Sequence, residues 1–412
     1  METLLQRIRR LSGDEYSQVR KAVVAYSGGV DSTATALLLG ELGIEVITVS
    51  LDLGQGISQA KRNAPLVSKK NFFFDAKEQL LEYAKKAVWA NSMFKGHPNG
   101  EGLSRPLIAL YLVQAAEKEG AQAVVHGSSG VGNDQFRMDN AIRVLAPQLH
   151  IIAPVRDWNL SREDSVSYLQ KRKVKIKIEG KKPFSVDENF WCRTIRYGAL
   201  SEDDFGVPQE AYAWTCAPSA CPSLPVKVSF QFENGFPTKA IIGEGKGKKE
   251  FSGVPMFEAL NKIGGENGIG RQNCIEDKIV GLKSHEVFEC PAASIISFAH
   301  KELERLTLTS AELDMKDYID HSWARLVFRG GWYTRLRNST EAFISQTQGA
   351  VCGTVELSLC RGGITLLSMK SPHALYDSRL SSREGTFNQR DSRTFAKLYG
   401  LQDVIAYRMD LE

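Results

Sequence analysis

A buried-strand pattern that runs into a glycine turn and then a helix constrains this chain more than any other feature. The segment reads Val23-Val24-Ala25-Tyr26-Ser27-Gly28-Gly29-Val30-Asp31-Ser32-Thr33. Gly28 and Gly29 can adopt backbone angles closed to other residues, so successive N–H groups can converge on an anion at the positive end of the following helix. The hydroxyls of Ser27 and Ser32 can add hydrogen bonds, and Asp31 is placed to meet Mg²⁺ or a phosphate-bound water. The segment therefore predicts a cradle for pyrophosphate.

The first part of the chain alternates apolar runs with helical patterns, which is typical of an α/β fold with a parallel sheet. Strands are predicted at Ala22–Tyr26, Val46–Leu53, Asn71–Phe74, Ala123–His126 and Ile151–Pro154. Helices are predicted at Asp31–Leu42, Glu78–Ala90, Leu107–Glu119 and Ser161–Lys171. In such sheets a ligand binds beyond the carboxyl ends of the strands. Because the glycine turn and the polar segment from His126 to Arg137 both follow strands, we expect a composite site at that edge.

Composition excludes several classes of protein. The chain has 412 residues, of which 42% are hydrophobic and 24% charged, enough for two or more domains. A net charge of +4 is small for this length and does not indicate a nucleic-acid partner. The seven cysteines are scattered and form no Cys-x-x-Cys pair, which indicates neither a zinc site nor a disulfide framework. We expect no membrane partner, and a cytoplasmic location, because no apolar stretch of about 18 residues occurs.

The glycine turn lacks both the lysine of a Walker loop and the three spaced glycines of a dinucleotide loop. It resembles the Ser-Gly-Gly-x-Asp-Ser loop of ATP pyrophosphatases, which split ATP between the α and β phosphates. Together with Asn133, Asp134 and Arg137, it resembles the argininosuccinate synthase family. Further blocks continue that resemblance along nearly the whole chain: Ala153–Trp158, Asp187–Trp191, Ile263–Arg271, Glu276–Ser284 and Ser371–Tyr376.

The resemblance implies an architecture that periodicity alone does not. It implies an α/β fold in which an ATP-pyrophosphatase domain with a parallel sheet, of the adenine nucleotide α-hydrolase type, precedes an α+β synthetase domain and a C-terminal oligomerisation arm. The expected boundaries are an N-terminal extension at 1–20, the nucleotide-binding domain at 21–170, the synthetase domain at 171–372 and the arm at 373–412. A homotetramer is implied as well.

The resemblance also implies a reaction and its substrates. ATP, with Mg²⁺, would adenylate the ureido oxygen of citrulline or an analogue, and the amine of aspartate would then attack the activated carbon. The nucleotide contacts implied are Ala25, Tyr26, Ser27, Gly28, Gly29, Asp31, Ser32 and Gly127, with Asp31 as the Mg²⁺ ligand. The substrate contacts implied are His97, Gly102, Arg105, Ser129, Asn133, Asp134, Arg137, Thr194, Glu276 and Phe288. The catalytic residues implied are Asp31, Asp134 and Arg137.

Within this set, aspartate would be held by Ser129, Asn133 and Asp134. The ureido end would be handled by Arg137 and Asp134, with Thr194 in place of a family serine. Glu276 would bind the α-amino group of citrulline or its analogue.

Several positions depart from the family pattern. His97 and Gly102 stand where the family usually has a tyrosine and a serine or threonine that bind the carboxylate of citrulline, and Phe288 replaces a family tyrosine. Val131 replaces a lysine, and Arg196 replaces a glutamate. A site that has lost buried hydrogen-bond partners can discriminate strongly against the ligand it once fitted.

Two enzyme interpretations therefore remain open. In the first, the chain uses citrulline, with His97 or Arg196 supplying the missing contacts. In the second, it keeps ATP and aspartate but activates another ureido, amide or carboxyl compound in specialised metabolism. A non-catalytic ligand-binding protein is a third interpretation, against which the intact pyrophosphate cradle argues.

Overall fold

The computed structural model describes residues 3–13, 16–177, 184–201, 205–382 and 384–411. Its helices are α1 Leu4–Ser12, α2 Val30–Glu41, α3 Ser58–Asn63, α4 Lys77–Trp89, α5 Gly100–Glu119, α6 Asp134–Leu145, α7 Pro154–Asp157, α8 Arg162–Lys171, α9 Gly253–Glu266, α10 Pro291–Thr307, α11 Ser310–Phe328, α12 Arg335–Thr347, α13 Ser378–Ser381, α14 Asp391–Tyr399 and α15 Leu401–Met409. Its strands are β1 Lys21–Ala25, β2 Glu45–Asp52, β3 Lys70–Asp75, β4 Ala123–Val125, β5 His150–Ile152, β6 Ser185–Asn189, β7 Cys192–Arg196, β8 Val226–Glu233, β9 Phe236–Ile242, β10 Lys249–Phe251, β11 Arg271–Asp277, β12 Lys283–Glu289, β13 Gly353–Cys360 and β14 Gly363–Lys370.

The expected parallel sheet is confirmed, with five strands in the order β3-β2-β1-β4-β5. Strand β1 is central and pairs in parallel with β2 on one side and β4 on the other, so that Val23 lies opposite both Ile47 and Val124. All three side chains are fully buried, because helices cover both faces of such a sheet. The strand order reverses beside β1, and a crevice for a ligand forms at such a reversal.

Two antiparallel sheets form the second part of the fold, in agreement with the α+β architecture that the resemblance implied. One has the order β11-β12-β7-β6 and the other β10-β9-β8-β13-β14. On β8 the side chains of Val228, Phe230 and Phe232 alternate into the core. Helices α9 and α10 cover the five-stranded antiparallel sheet that contains β8, with apolar side chains that include Phe257 and Ile295. Of the two, the four-stranded sheet lies next to the parallel sheet, and residues of its strands β6 and β7 belong to the candidate site.

Helix α5 differs from the sequence prediction, since it begins at Gly100 and not at Leu107. Two glycines and Pro106 near its start are typical of a loop. The structure shows why glycine is used there. A Cβ atom on Gly100 would lie 2.7 Å from the Cβ of Cys192, and one on Gly102 would lie 2.9 Å from a methyl carbon of Val327. The glycines thus let the first turns of the helix pack against two other elements, and Gly102 and Arg105 lie on a helix.

Strand β5 also differs slightly from its prediction, because it ends at Ile152 and Pro154 begins α7. Before the sheet, α1 packs Ile8 into the same apolar cluster as Val24 and Leu38. After the last sheet, α14 and α15 bury none of their residues in the single chain. Among the described helices, none combines the length and the apolar character that crossing a membrane requires.

Candidate active site

The glycine turn has the special backbone geometry that its sequence predicts at Gly28, but Gly29 is extended with a φ of −76°. Gly28 has a φ of +77°, and its carbonyl oxygen accepts a hydrogen bond from Asn63 Nδ2 at 2.8 Å. Gly29 precedes the first residue of α2 and makes no side-chain cap, so the first N–H groups of the helix keep their capacity to bind an anion. The Oγ atoms of Ser27 and Ser32 lie 3.2 Å apart at the mouth of the turn. Hydroxyl and amide donors are therefore grouped at the carboxyl end of β1.

A cavity of about 620 Å³ extends from this turn to the four-stranded antiparallel sheet. At one end it is lined by Ala25, Ser27, Asp31, Ser32, Gly127 and Arg162. At the other end it is lined by Arg105, Ser129, Asp134, Ser185, Asp187, Arg196 and Tyr197. One continuous space thus joins a candidate phosphate site to a cluster of arginines and aspartates.

Asp31 and Arg162 face each other at the phosphate end. Asp31 Oδ2 lies 2.9 Å from Arg162 Nη1, and both side chains are close to half exposed. Asp31 Oδ1 is buried and has no hydrogen-bond partner. Nearby, His126 Nδ1 accepts a hydrogen bond from the Ser128 N–H, while its Nε2 bonds Asp139 at 2.8 Å. His126 is therefore a buried, hydrogen-bonded neighbour of the cavity.

Asp134 is the centre of the polar cluster at the other end. Its carboxylate accepts hydrogen bonds from Arg105 at 2.9 Å and Arg137 at 2.7 Å, and Arg196 Nη1 lies 3.9 Å away. Burial alone would raise the pKa of Asp134, but these guanidinium groups hold it well below its usual range. Asp187 also binds Arg105, yet burial raises the pKa of its carboxyl. Two neighbouring acids thus differ in their tendency to ionise.

The positive charge of Arg196 is neutralised by a carboxylate in the first turn of α5. Its Nη2 donates a hydrogen bond to Glu101, a carboxylate that is almost completely buried. Its Nε atom is buried and makes no hydrogen bond, although Glu286 lies 3.8 Å from it. Glu286 in turn binds Lys278. The arginine therefore has a fixed position at the cavity wall.

A second, fully buried cluster lies behind the cavity and is centred on Glu276. Its carboxylate bonds His97 Nε2, Asn133 Nδ2 and Lys278 Nζ, each at 2.9 Å. His97 stacks on Phe288 with ring centroids 4.1 Å apart and ring planes 5° apart. Burial alone would raise the pKa of Glu276, but His97 and Lys278 lower it to about 2. Three donors of the protein itself therefore already bind this carboxylate.

The structure brings only part of the predicted site to the cavity. The predicted residues that line it are Ala25, Ser27, Asp31, Ser32, Arg105, Gly127, Ser129 and Asp134. Among the described residues, the predicted contacts that do not line it are Tyr26, Gly28, Gly29, His97, Gly102, Asn133, Arg137, Thr194, Glu276 and Phe288. Gly28 and Gly29 form the turn itself.

Tyr26 points into the core, since its hydroxyl bonds Thr33 and its N–H and C=O bond residues of β2. Asn133 is buried and bonds both Glu276 and the N–H of Ile279. Thr194 lies opposite Phe288 in the sheet, and both are buried.

Sequence reasoning missed Arg162, Asp187 and Glu101 as members of the site. A signal existed for Arg162, because it is the second residue of the predicted helix Ser161–Lys171, which follows β5 and starts at the same edge of the sheet as the glycine turn. Asp187 and Glu101 reach the site from elements whose contacts no sequence pattern predicts. His97 was expected to contact substrate, but it is buried against Glu276.

Comparison with known proteins gives matches along nearly the whole chain. A family model described as the arginosuccinate synthase N-terminal HUP domain matches residues 21–175, and one described as the arginosuccinate synthase C-terminal domain matches residues 184–406. The argininosuccinate synthase of Methanopyrus kandleri is 40% identical over 396 residues, which cover 94% of this chain and 99% of the relative. That of Methanocaldococcus jannaschii is 40% identical over 94% of this chain and 98% of the relative. That of Pyrococcus furiosus is 38% identical, with 94% and 95% covered.

Proposed function

Because the chain belongs to the argininosuccinate synthase family, we propose that it is an ATP-dependent ligase that joins the amine of aspartate to an activated acceptor, with citrulline or an analogue as that acceptor. One observation carries the proposal beyond the family. A single cavity joins the anion-binding glycine turn to a cluster of arginines and aspartates. A nucleotide phosphate and a polar acceptor can therefore meet in the same space.

The proposed reaction has two steps. In the first, the ureido oxygen of the acceptor attacks the α-phosphorus of ATP, the bond from that phosphorus to the bridging oxygen breaks, and pyrophosphate leaves. In the second, the amine of aspartate attacks the carbon that carries the adenylate, the carbon–oxygen bond breaks, AMP leaves, and the nitrogen loses a proton. Alignment of the reactants can contribute about 7–11 kcal/mol to such steps.

Each end of the cavity has a part in this scheme. The N–H groups at the start of α2, with Ser27 and Ser32, would bind the phosphates and stabilise the charge that develops on pyrophosphate. Ser129 and Asp134 would orient aspartate and the acceptor. Arg105 is fixed by two carboxylates, so it would hold its position during the reaction without reorganising.

The residues at the phosphate end fit Mg²⁺. Asp31 Oδ1 is a buried oxygen without a partner, and Mg²⁺ typically binds one or two carboxylates together with substrate phosphates. Within the described ranges, no cluster of three or more histidine, cysteine or acidic side chains could hold a metal. Asp31 would therefore be the protein ligand, and a cation bound there would neutralise charge on the departing pyrophosphate.

The buried cluster around Glu276 favours a second candidate for the acceptor. Glu276 was expected to meet the α-amino group of citrulline, but three donors of the protein already bind its carboxylate. Glu276 is also buried and does not line the cavity, so an ammonium group could reach it only if the cluster rearranged, and a buried donor left unpaired by this costs about 1–3 kcal/mol. A different ureido, amide or carboxyl acceptor, bound beside Arg196 and Ser185, would avoid this cost.

Pyrophosphate release tests the proposal. Purified protein is incubated with ATP, Mg²⁺ and aspartate, with and without citrulline, and the product is identified by mass spectrometry. Citrulline-dependent release with formation of argininosuccinate supports the first candidate. Release only with another ureido, amide or carboxyl compound supports the second, and no release with any of these compounds contradicts the proposal.

A matched pair of variants serves as the control for this assay. Asp134→Asn removes the charge that the three arginines surround and is expected to lower the rate at least about 100-fold, within the range of losses seen for electrostatic groups in active sites. Asp314→Asn makes the same chemical change at an exposed position of α11 and is expected to leave the rate unchanged. Equal rates for the two variants contradict the role of Asp134.

We also propose that the chain assembles as a homotetramer through its C-terminal arm. Large apolar side chains of α14 and α15, among them Phe395, Tyr399 and Tyr407, are exposed in the single chain. Exposed apolar surface of this extent is typical of an interface. Light scattering is expected to give four copies for the whole chain and fewer for a chain that ends at residue 372.

The domain boundaries at residues 20, 170 and 372 stay predictions. The cytoplasmic location stays a prediction as well.

A further inference from the structure

Arg162 is a cation at the phosphate end of the cavity to which the family resemblance gave no role. It is the first residue of α8 and lines the cavity together with Ser27, Asp31 and Ser32. In the described part of the chain, the only hydrogen bond of its side chain is the 2.9 Å contact with Asp31. A guanidinium group carries five N–H donors, so most of the hydrogen-bonding capacity of Arg162 is free for a ligand.

The position of Arg162 is fixed by the packing of its helix. Ser161 caps α8 in a reciprocal pair with Asp164, and Asp164 also binds Arg7 of α1 at 2.6 Å. Along the helix, Leu169 packs against Val30 and Ala34 of α2. The helix that carries the guanidinium is therefore held against the helix whose N-terminus forms the anion cradle.

The other two arginines of the described cavity wall are committed elsewhere. Arg105 binds Asp134 and Asp187, and Arg196 binds the buried Glu101. Arg162 differs because its single carboxylate partner is Asp31, which is itself close to half exposed and directed into the cavity. The Asp31–Arg162 pair can therefore open without leaving a buried charge unpaired.

We propose that Arg162 binds the β- and γ-phosphates of ATP and the pyrophosphate that leaves, and that it exchanges Asp31 for these phosphates when the nucleotide binds. The inference rests on the proposed function, since it assumes cleavage between the α and β phosphates. Planar guanidinium groups bind phosphate oxygens through paired hydrogen bonds, whereas a carboxylate at the cradle without its partner repels them. After the exchange Asp31 has lost its partner, and a Mg²⁺ ion bound to its carboxylate would offset the repulsion.

Binding of inorganic pyrophosphate tests the inference independently of turnover. Isothermal titration of the whole protein with pyrophosphate, ATP and AMP, each with Mg²⁺, is carried out for the wild type and for Arg162→Ala. We expect the variant to lose about 10- to 100-fold in affinity for pyrophosphate and ATP, as for other charge-assisted hydrogen bonds. The affinity for AMP is expected to change less than about threefold, because AMP lacks the β- and γ-phosphates.

Two further variants sharpen this experiment. Arg172→Ala removes the same charge from the other end of α8, where Arg172 is exposed and binds Glu41, and is expected to bind all three ligands as the wild type does. Arg162→Lys keeps the charge but not the planar fork, so it is expected to recover only part of the pyrophosphate affinity. If Arg162→Ala does not fold, Arg162→Gln replaces it, because that side chain keeps most of the length and loses the charge.

The outcomes separate this inference from the proposed function. If the wild type binds ATP and pyrophosphate and Arg162→Ala binds both equally well, the inference is overturned while the proposed function stands. An equal loss of affinity for AMP also overturns it, because the effect would then lie in the general shape of the site. If the wild type binds no ATP, the proposed function fails together with the inference.

Discussion

Replacing Gly28 by alanine is expected to destabilise the protein and to weaken nucleotide binding, whereas the same change at Gly29 is expected to leave the stability nearly unchanged. Gly28 has a φ of +77°, and a Cβ atom added to it would lie 2.6 Å from both the Cα and the N atoms of Ala60. A left-handed backbone costs an L-residue about 1–2 kcal/mol, and overpacking a filled site typically costs about 1–3 kcal/mol. The two terms add to about 2–5 kcal/mol for Gly28→Ala.

Gly29 is a matched control, because it adjoins Gly28 and receives the same added methyl group. It has no positive φ, and a Cβ atom there meets only Ser27 Oγ, at 3.3 Å. We expect Gly29→Ala to cost less than about 1 kcal/mol.

Urea denaturation gives the difference in the free energy of unfolding, and titration with ATP gives the affinity of each variant. Relief of the clash would move α3 away from the turn, so Gly28→Ala is also expected to bind ATP more weakly. Two variants of equal stability and equal ATP affinity would refute the assignment of close packing and strain to Gly28.

Two other predictions concern buried polar groups. His97→Phe keeps an aromatic ring on Phe288 but removes the donor to Glu276, so we expect a loss of about 1–3 kcal/mol in urea denaturation, and an unchanged midpoint would contradict the hydrogen bond. Burial raises the pKa of Asp320 to about 7, against the opposing effect of Lys316. Because this pKa lies above that of the unfolded chain, the folded state takes up the proton, and stability contributed by Asp320 is present at low pH and lost as pH rises through about 7. Relative to Asp320→Asn, the wild type is therefore expected to gain about 2 kcal/mol when pH is lowered from about 7 to about 5.5. Parallel pH profiles of unfolding for the two proteins would contradict this.

The nucleotide-binding half was predictable from sequence because its signals are local. Each strand of the parallel sheet is a short apolar run, and the predicted strand Val46–Leu53 differs from the observed Glu45–Asp52 by one residue at each end. The start of α5 was not predictable, since Gly100 and Gly102 are helical only because other elements pack close against them. The α+β character of the second domain followed from resemblance and not from periodicity, and its division into two antiparallel sheets is seen only in the structure.

The candidate site likewise has a part that the sequence predicts and a part that it does not. The glycine turn is a continuous segment, and its residues predicted the positive φ of Gly28. The charged clusters depend on pairs far apart in the chain, such as Arg196 with Glu101 and His97 with Glu276. No sequence pattern indicates which carboxylate faces which cation. The hydrogen bonds that join Glu276 to its three donors were therefore visible only in the structure.

Identification of the nucleotide product tests the central claim most directly. The protein is incubated with ATP, Mg²⁺, aspartate and, one at a time, citrulline and other ureido, amide and carboxyl acceptors, and the phosphorus-containing products are resolved by nuclear magnetic resonance. We expect AMP and pyrophosphate in equal amounts, with more than one equivalent per protein formed only when both aspartate and an acceptor are present. Formation of ADP and phosphate, or AMP formation that does not depend on aspartate, would contradict the proposed reaction.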